Sequence, residues 1–449
     1  MLKRNFTVFI LSFFFVQISG NLAISQDSWS LEQCINYAFE NNIQIKQQSL
    51  NVELSENQLL RAKYSAYPSL NASANHNYSF GRTTNFITNQ KERSDIQSTS
   101  FSVSSQVNLF NGFQTSNTKK QEAINLQASI SDVEKLKNSI ALNIAAAYLQ
   151  ILFNEELVET NRKQFDLSSL QLERTRVMVQ AGSLPEGNLL EIEAQLASDE
   201  LQLVNAQNQL DLAILNLVQM LDLENTEGFS IQRPSLDGFN ESLPSDSPMN
   251  IFNTAQENLP QIMSASLRLS SAEKGVLIAK GARSPRLSFG ASYGTGAQKV
   301  LSNTAISMDP FMDQVKDNAN TNVGLSLTIP IFNGFQVKTA ISNSLINLDN
   351  ARLSLEYEKL LLYKDIQQAF ADAIAAFKKF NATEKNLNAL GEAFRYSEQK
   401  FNLGLVTSFD YTTAKTRLAK AETDLLQAKY EYIFKTKILD FYRGVPLKL

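Results

Sequence analysis

At 449 residues, with 43% hydrophobic and 19% charged side chains, the chain has the composition of a folded protein and not of a disordered one. A formal net charge of −4 with no visible lysine/arginine cluster excludes the basic footprint that nucleic-acid binding needs. One cysteine, Cys34, excludes an internal disulfide.

In chain order, Lys3 and Arg4 precede an apolar run over 6–16, and Ala23 and Ser25 supply small residues before Gln26. This pattern predicts a signal peptide over 1–25, because the run is too short to cross a bilayer as a helix. Cys34 lacks the small-residue lead-in of a lipid anchor and is expected to be a buried structural thiol. No later stretch approaches eighteen consecutive apolar residues. The mature segment, 26–449, is therefore expected to have no helical span and to be either soluble outside the inner membrane or inserted as a β-barrel.

Residues 43–66 have a helical pattern that Pro68 ends. From there Leu70, Ala72, Ala74, His76, Tyr78 and Phe80 alternate with Ser and Asn. After a polar loop, Phe101, Val103, Val107 and Leu109 alternate with Ser, Gln and Asn, which gives a β-hairpin over about 69–110. Asn111-Gly112 follows, but no third strand does. A proline-free stretch rich in Ala, Leu, Gln, Glu and Lys runs from about 113 to 181 instead, roughly 100 Å if helical. Gly182, Ser183 and Leu184 form a turn into a shorter helix over about 186–222, completing a helical hairpin over 113–222. Gly228, Pro234, Gly238, Pro244 and Pro248 mark a linker over 223–248.

The same parts then return. Residues 38–41 correspond to 255–258 and Pro68 to Pro285, at an offset of 217; Asn111-Gly112 matches Asn333-Gly334 and Gly182 matches Gly404, at 222. Repeat one thus covers 31–222 and repeat two 249–444, and the five extra residues fall in the second strand region, as a longer loop tip would. The second half is expected to hold a β-hairpin over about 286–332 and a helical hairpin over about 335–442, its turn made by Gly404, Leu405, Val406 and Thr407. In the shorter helices Leu189, Leu196, Leu203, Leu210 and Leu217, and Tyr411, Leu418, Leu425, Tyr432 and Leu439, recur every seven residues, as coiled-coil packing requires.

The strands' polar face is almost wholly Ser, Asn, Gly, Gln and Thr, which suits a water-filled lumen; a soluble β-layer would also alternate. Four strands cannot close a useful pore, so a membrane reading requires other copies of the chain at the open edges. Little supports an enzyme. His76 is the only histidine, on a strand's apolar side, which leaves no Ser-His-Asp triad and no zinc site. Gly294-Thr295-Gly296 lacks the Lys and Ser/Thr of a phosphate loop and is expected at a strand end. No catalytic, metal or cofactor site is expected.

Together Ser30-Leu31-Glu32, Ala38 with Asn41-Asn42, Pro68, Pro285, the run 329–334, the turn 181–190 and the turn 401–410 resemble the TolC family of outer-membrane efflux and secretion channels, over essentially the whole mature chain. That resemblance implies an α+β membrane protein and a homotrimer. Each protomer would give four strands to one β-barrel, continued by a long α-helical coiled-coil barrel in the periplasm of a Gram-negative bacterium. It also implies passive export of cargo received from an inner-membrane transporter, proton-driven or ABC, through a periplasmic adaptor docked at the tips Gly182, Ser183, Leu184, Gly404, Leu405, Val406 and Thr407. Family members commonly place acids just past the turns, at the constricted end. Asp410 holds that place in the second half and Asn188 in the first, so Asp410 is the pore-gate candidate; the alternative is that it caps its helix. Asn111, Gly112, Asn333 and Gly334 are expected to switch strand into helix, and Pro68 and Pro285 helix into strand. The competing reading is an exported coiled-coil scaffold or adhesion protein without a pore.

Overall fold

Ser30 begins the helical part. Its hydroxyl accepts from the Gln33 N–H while Gln33 accepts from the Ser30 N–H, a capping box that starts α1 (Leu31–Asn41). Asn42 ends α1 and, accepting from the Gln44 and Ile45 N–H groups, caps α2 (Ile43–Tyr64). In this computed structural model the described residues are 28–84, 89, 91–93, 95–224, 228–234, 246–301 and 308–448. The signal peptide expected over 1–25 and much of the 223–248 linker lie outside them.

Past Pro68 the chain enters β1 (Ser69–Ser79), passes two short loop strands, β2 (Arg82–Thr84) and β3 (Lys91–Arg93), and returns in β4 (Ile96–Phe110). Then come α3 (Gln114–Gln180) and α4 (Glu186–Met220). The second half supplies α5 (Pro248–Asn258), α6 (Pro260–Gly281), β5 (Arg286–Val300), α7 (Phe311–Asp317), β6 (Asn320–Thr328), α8 (Gln336–Asn402) and α9 (Ser408–Tyr442). Helix lengths match between halves: α1 and α5 have 11 residues each, α2 and α6 have 22, α3 and α8 have 67, α4 and α9 have 35. Five elements exceed the sequence reading: α1, α5, α7 and the short strands β2 and β3 in the first loop. α1 and α5 are too short to stand out by periodicity, and α7 occupies the longer second loop.

The four long strands form one antiparallel sheet in the order β1-β4-β5-β6. The register keeps the two faces distinct. Ala72 lies opposite Val103, Val103 opposite Tyr293 and Phe289 opposite Leu325, while Ser73 lies opposite Ser102, and Ser102 opposite Gly294. A bulge falls where alternation fails in the sequence: Asn108 pairs with Ser288 but Phe110 with Leu287, so Leu109 is the extra residue. Gly294-Thr295-Gly296 lies inside β5 and not at its end, because that strand runs on to Val300. Among the described residues nothing pairs with the outer edges of β1 and β6.

The helices follow the sheet's order. α2 packs on α3, α3 on α6 and α6 on α8; farther from the sheet α4 and α9 both pack on α3, and α9 on α8. Thus α2 and α4 lie end to end along α3, as their lengths suggest. Where they meet, α1 and the segment after α4 wrap the middle of α3. Cys34, Ala38, Ile144, Tyr148, Ile151, Leu217 and Leu221 form the main core there. Ile231 joins it: Trp29 and Ile231 form a parallel bridge, and the Tyr148 hydroxyl reaches the carbonyls of Trp29 and Gln232 at 3.0 and 2.5 Å. The start of the linker is therefore packed structure. Burial pushes the Cys34 thiol up to about 12, as an inert structural cysteine requires. By length and hydropathy α3 could cross a bilayer, but its apolar middle is this core.

Candidate functional site

Three places carry residues singled out by the sequence. The first is the end of the helices farthest from the sheet. α3 closes with the Gly182 N–H donating to the Val179 carbonyl (2.9 Å) and the Ser183 N–H to the Met178 carbonyl (2.8 Å). α8 closes the same way, Gly404 to Phe401 (2.9 Å) and Leu405 to Lys400 (2.8 Å). Both are Schellman turns, and both glycines have the positive φ that such turns demand, +73° and +71°. The restarts differ. Pro185 precedes α4 with no side-chain cap, whereas Thr407 and Asp410 form a capping box at α9. The Asp410 carboxylate accepts from the Thr407 N–H (3.2 Å) and hydroxyl (2.7 Å) while remaining exposed. The two tips touch. The Ser408 hydroxyl bonds to Glu191 on α4, and Ile192, Phe401 and Tyr411 share a small apolar cluster in which Tyr411 stacks on Phe401 at 4.8 Å. Burial first, then the Glu398 charge, raises the Tyr411 phenol to about 12, so it stays a neutral packing group.

The second place, a few turns above the tips, was not foreseen from the sequence. Lys415 on α9 donates to Asp199 Oδ2 on α4 (2.9 Å), to the Gln164 carbonyl on α3 (3.0 Å) and to the Ser168 hydroxyl. Ser168 itself bonds to Asp199, and Gln195 donates to the other Asp199 oxygen at 2.8 Å. Lys415 and Asp199 are only 4% and 7% exposed, so each charge depends on the other for solvation. This pair fastens α9 of the second half to both helices of the first. The expected leucine seam needs correction here. α4 buries Ile192, Asp199, Ala206, Ala213 and Leu217, with Leu189, Leu196, Leu203 and Leu210 half-buried beside them. The period of seven holds: over 189–210 the residue three places after each leucine is the more buried one, and at Leu217 the leucine itself is buried. Asp199 was detectable as the one charge in that series, at the place matching Ala421.

The third place is the strand-to-helix junction. Gly112 and Phe113 are both left-handed, at φ +66° and +63°, as are Gly334 and Phe335, at +59° and +65°. At the first junction the left-handed pair begins at the glycine, while Asn111 stays outside that region and acts as a cap. Its carbonyl accepts from the Gln114 N–H (3.3 Å) and its Oδ1 from the Thr115 N–H (3.3 Å), while the Asn333 carbonyl accepts from Gln336 (3.2 Å). The strained phenylalanines rest edge-on against Phe110 and Phe332, with ring centres 5.5 and 6.0 Å apart. Pro68 and Pro285 stand directly before Ser69 and Arg286, the first residues of β1 and β5. The chain's histidine, His76, bonds to Thr99 (2.7 Å) and Gln97 (3.3 Å) on the sheet surface.

Known proteins share this arrangement. The family model for outer membrane efflux proteins matches residues 34–222 and 251–439. The chain is 22% identical over 432 residues to the outer membrane protein TolC of Escherichia coli K12, covering 93% of this chain and 82% of that one. It is also 22% identical over 442 residues to the alkaline protease secretion protein AprF of Pseudomonas aeruginosa, covering 94% and 86%. The crystal structure of the outer membrane protein VceC from Vibrio cholerae superposes with a TM-score of 0.77 at 16% identity, over 92% of this chain and 96% of that one. Both half-chain matches fall on α1–α4 and α5–α9, with the strands between them. The chain belongs to the outer membrane efflux protein family, as an outer-membrane transport protein whose helices lie in the periplasm.

Proposed function

We propose that three copies of this chain form one exit duct, a twelve-stranded barrel in the outer membrane continued by a helical tube, through which cargo leaves passively. The observation that carries it is the shared order of sheet and helices. β1-β4-β5-β6 and α2-α3-α6-α8 run in parallel, and both are left open at the same two flanks. A sheet so small, with Leu70 75% and Leu325 66% exposed on its apolar face, is stable only when its edges are taken up and that face meets lipid. Exposed Leu345, Leu353, Tyr357 and Leu360 on α8 mark the matching helical flank. The opposite sheet face, with Ser73 bonded to Ser102 across strands at 2.8 Å, is the wall of a wet lumen.

In this duct a periplasmic adaptor, itself bound to an inner-membrane transporter, docks at Gly182, Ser183, Leu184, Gly404, Leu405, Val406 and Thr407. Relatives named for drug, toxin and protease export support that assembly without fixing the cargo. Asp410 would supply a ring of three carboxylates at the narrow end, while its capping bonds keep the side chain in place. The duct opens there by moving the tips, and the Lys415–Asp199 tie limits how far one hairpin swings from the other. Single-channel recording in planar bilayers tests the proposal: discrete conductance steps from the purified protein are expected, and protein that inserts without conducting refutes it.

A further inference from the structure

Between the ends of β1 and β4 and the helices α2 and α3 lies an open groove of about 740 Å³, lined among others by Lys63, Tyr64, Tyr67, Leu109, Phe113 and Lys119. Its apolar part is exposed, Tyr67 at 65% and Phe113 at 68%, and runs on into the sheet's apolar face through the bulge at Leu109 and Phe110. The surrounding collar is basic throughout. No Asp or Glu occurs in 57–91, 96–121, 274–308 or 318–348, whereas Arg61, Lys63, Lys119, Lys120, Lys280, Arg283 and Lys338 all lie at the helix ends there. Among the described residues Lys63, Lys119, Lys120 and Lys338 take part in no ion pair.

Helix electrostatics explain only half of this. Lys63 sits in the last turn of α2, where a cation is favoured. Lys338 sits in the first turn of α8 and Lys119 in the second turn of α3, near the positive ends, and neither helix has an acid in its first turn. The helix dipoles therefore do not account for these two cations. The second half repeats the composition: Lys280 holds the place of Lys63, Phe332 and Phe335 those of Phe110 and Phe113, and Lys338 lies 5.4 Å over the Phe335 ring.

We propose that this groove binds an anionic phospholipid of the periplasmic leaflet, its phosphate between Lys63 and Lys119 and its acyl chains along Tyr67, Leu109 and Phe113. A phosphodiester placed there sets its negative charge between two lysines that have no ion-pair partner among the described residues, and the apolar floor continues into the lipid-facing surface. A zwitterionic headgroup brings its own cation into the same space and compensates them less. Free phosphate has nothing to place on the floor. The site rests on the barrel reading, since the groove meets the leaflet only if the sheet spans the membrane.

Native mass spectrometry of the protein released from micelles holding equal phosphatidylglycerol and phosphatidylcholine tests it. Retention should favour phosphatidylglycerol, with each lysine contributing about fivefold. The Lys63→Gln/Lys119→Gln double variant should bring the ratio near one, Lys63→Arg/Lys119→Arg should keep it, and Lys163→Gln, a mid-helix control, should leave it unchanged. Excess inorganic phosphate should not alter it. Equal retention of both lipids by the native protein, an undiminished preference in the glutamine variant, or loss of the preference to inorganic phosphate overturns the site. The same preparations are recorded in planar bilayers. Protein that conducts but shows no preference defeats the lipid site alone, and protein that never conducts defeats the barrel reading together with it.

Discussion

Gly112 and Gly334 adopt nearly the same φ, +66° and +59°, in very different surroundings. A Cβ at Gly112 would stand 2.3 Å from the Gly281 carbonyl oxygen and 2.7 Å from the Ser284 side chain, whereas Gly334 meets nothing within 4 Å. Gly334→Ala should then cost about 1–2 kcal/mol, the strain of a left-handed residue. Gly112→Ala should cost more, because α6 must also move. Thermal unfolding of the two variants in detergent checks the order, and equal losses would contradict it. At Asp410 a similar comparison separates two roles. Asp410→Asn should lower stability by about 0.3–1 kcal/mol if capping is all it does, since the change removes the charge at the helix start but keeps an acceptor. If it also lines the pore, block by multivalent cations should weaken as well, since a ring of like charges focuses the local potential. These glycines were legible because a sequence shows which residue tolerates positive φ. That Phe113 and Phe335 share the left-handed turn was not, because only the ring contacts to Phe110 and Phe332 make it tolerable.

The helices were readable because length, proline absence and Gly182 and Gly404 leave few alternatives, and the paired lengths of α3 and α8 follow. Their packing register was not. Leucines mark an apolar stripe, but which flank of the stripe meets α3 depends on partners, and the buried Asp199 falls outside any leucine pattern. The Lys415–Asp199 tie makes a direct prediction. Lys415→Met alone should destabilise the helical part by about 3–5 kcal/mol, because it strands a buried carboxylate, while Lys415→Met with Asp199→Leu should recover most of the loss. A double-mutant cycle in urea reads the coupling. At the α8–α9 contact, Lys435 donates to Asp372 at 2.7 Å and this bond holds the Asp372 carboxyl below the usual carboxylate range. A lowered folded pKa contributes stability above the unfolded value, about 3.9, and loses it as pH falls through the folded one. Asp372→Asn should therefore flatten the acid side of the stability profile and leave an unchanged slope near neutrality.

For the whole molecule, the alternating strands and duplicated halves pointed to a protein incomplete by itself. Among the described residues, an open sheet and an open row of helices end at the same flanks, which is the feature the proposed assembly would use. In the proposed ring, the number of copies is not written in any residue, because a small change in the angle between adjacent halves would alter it. The family resemblance supplies three. The most direct measurement is the mass of the native particle extracted from the outer membrane in detergent. Three chains in one particle that loses its integrity without detergent is the expected result, and a monodisperse single chain that needs no detergent would contradict the account.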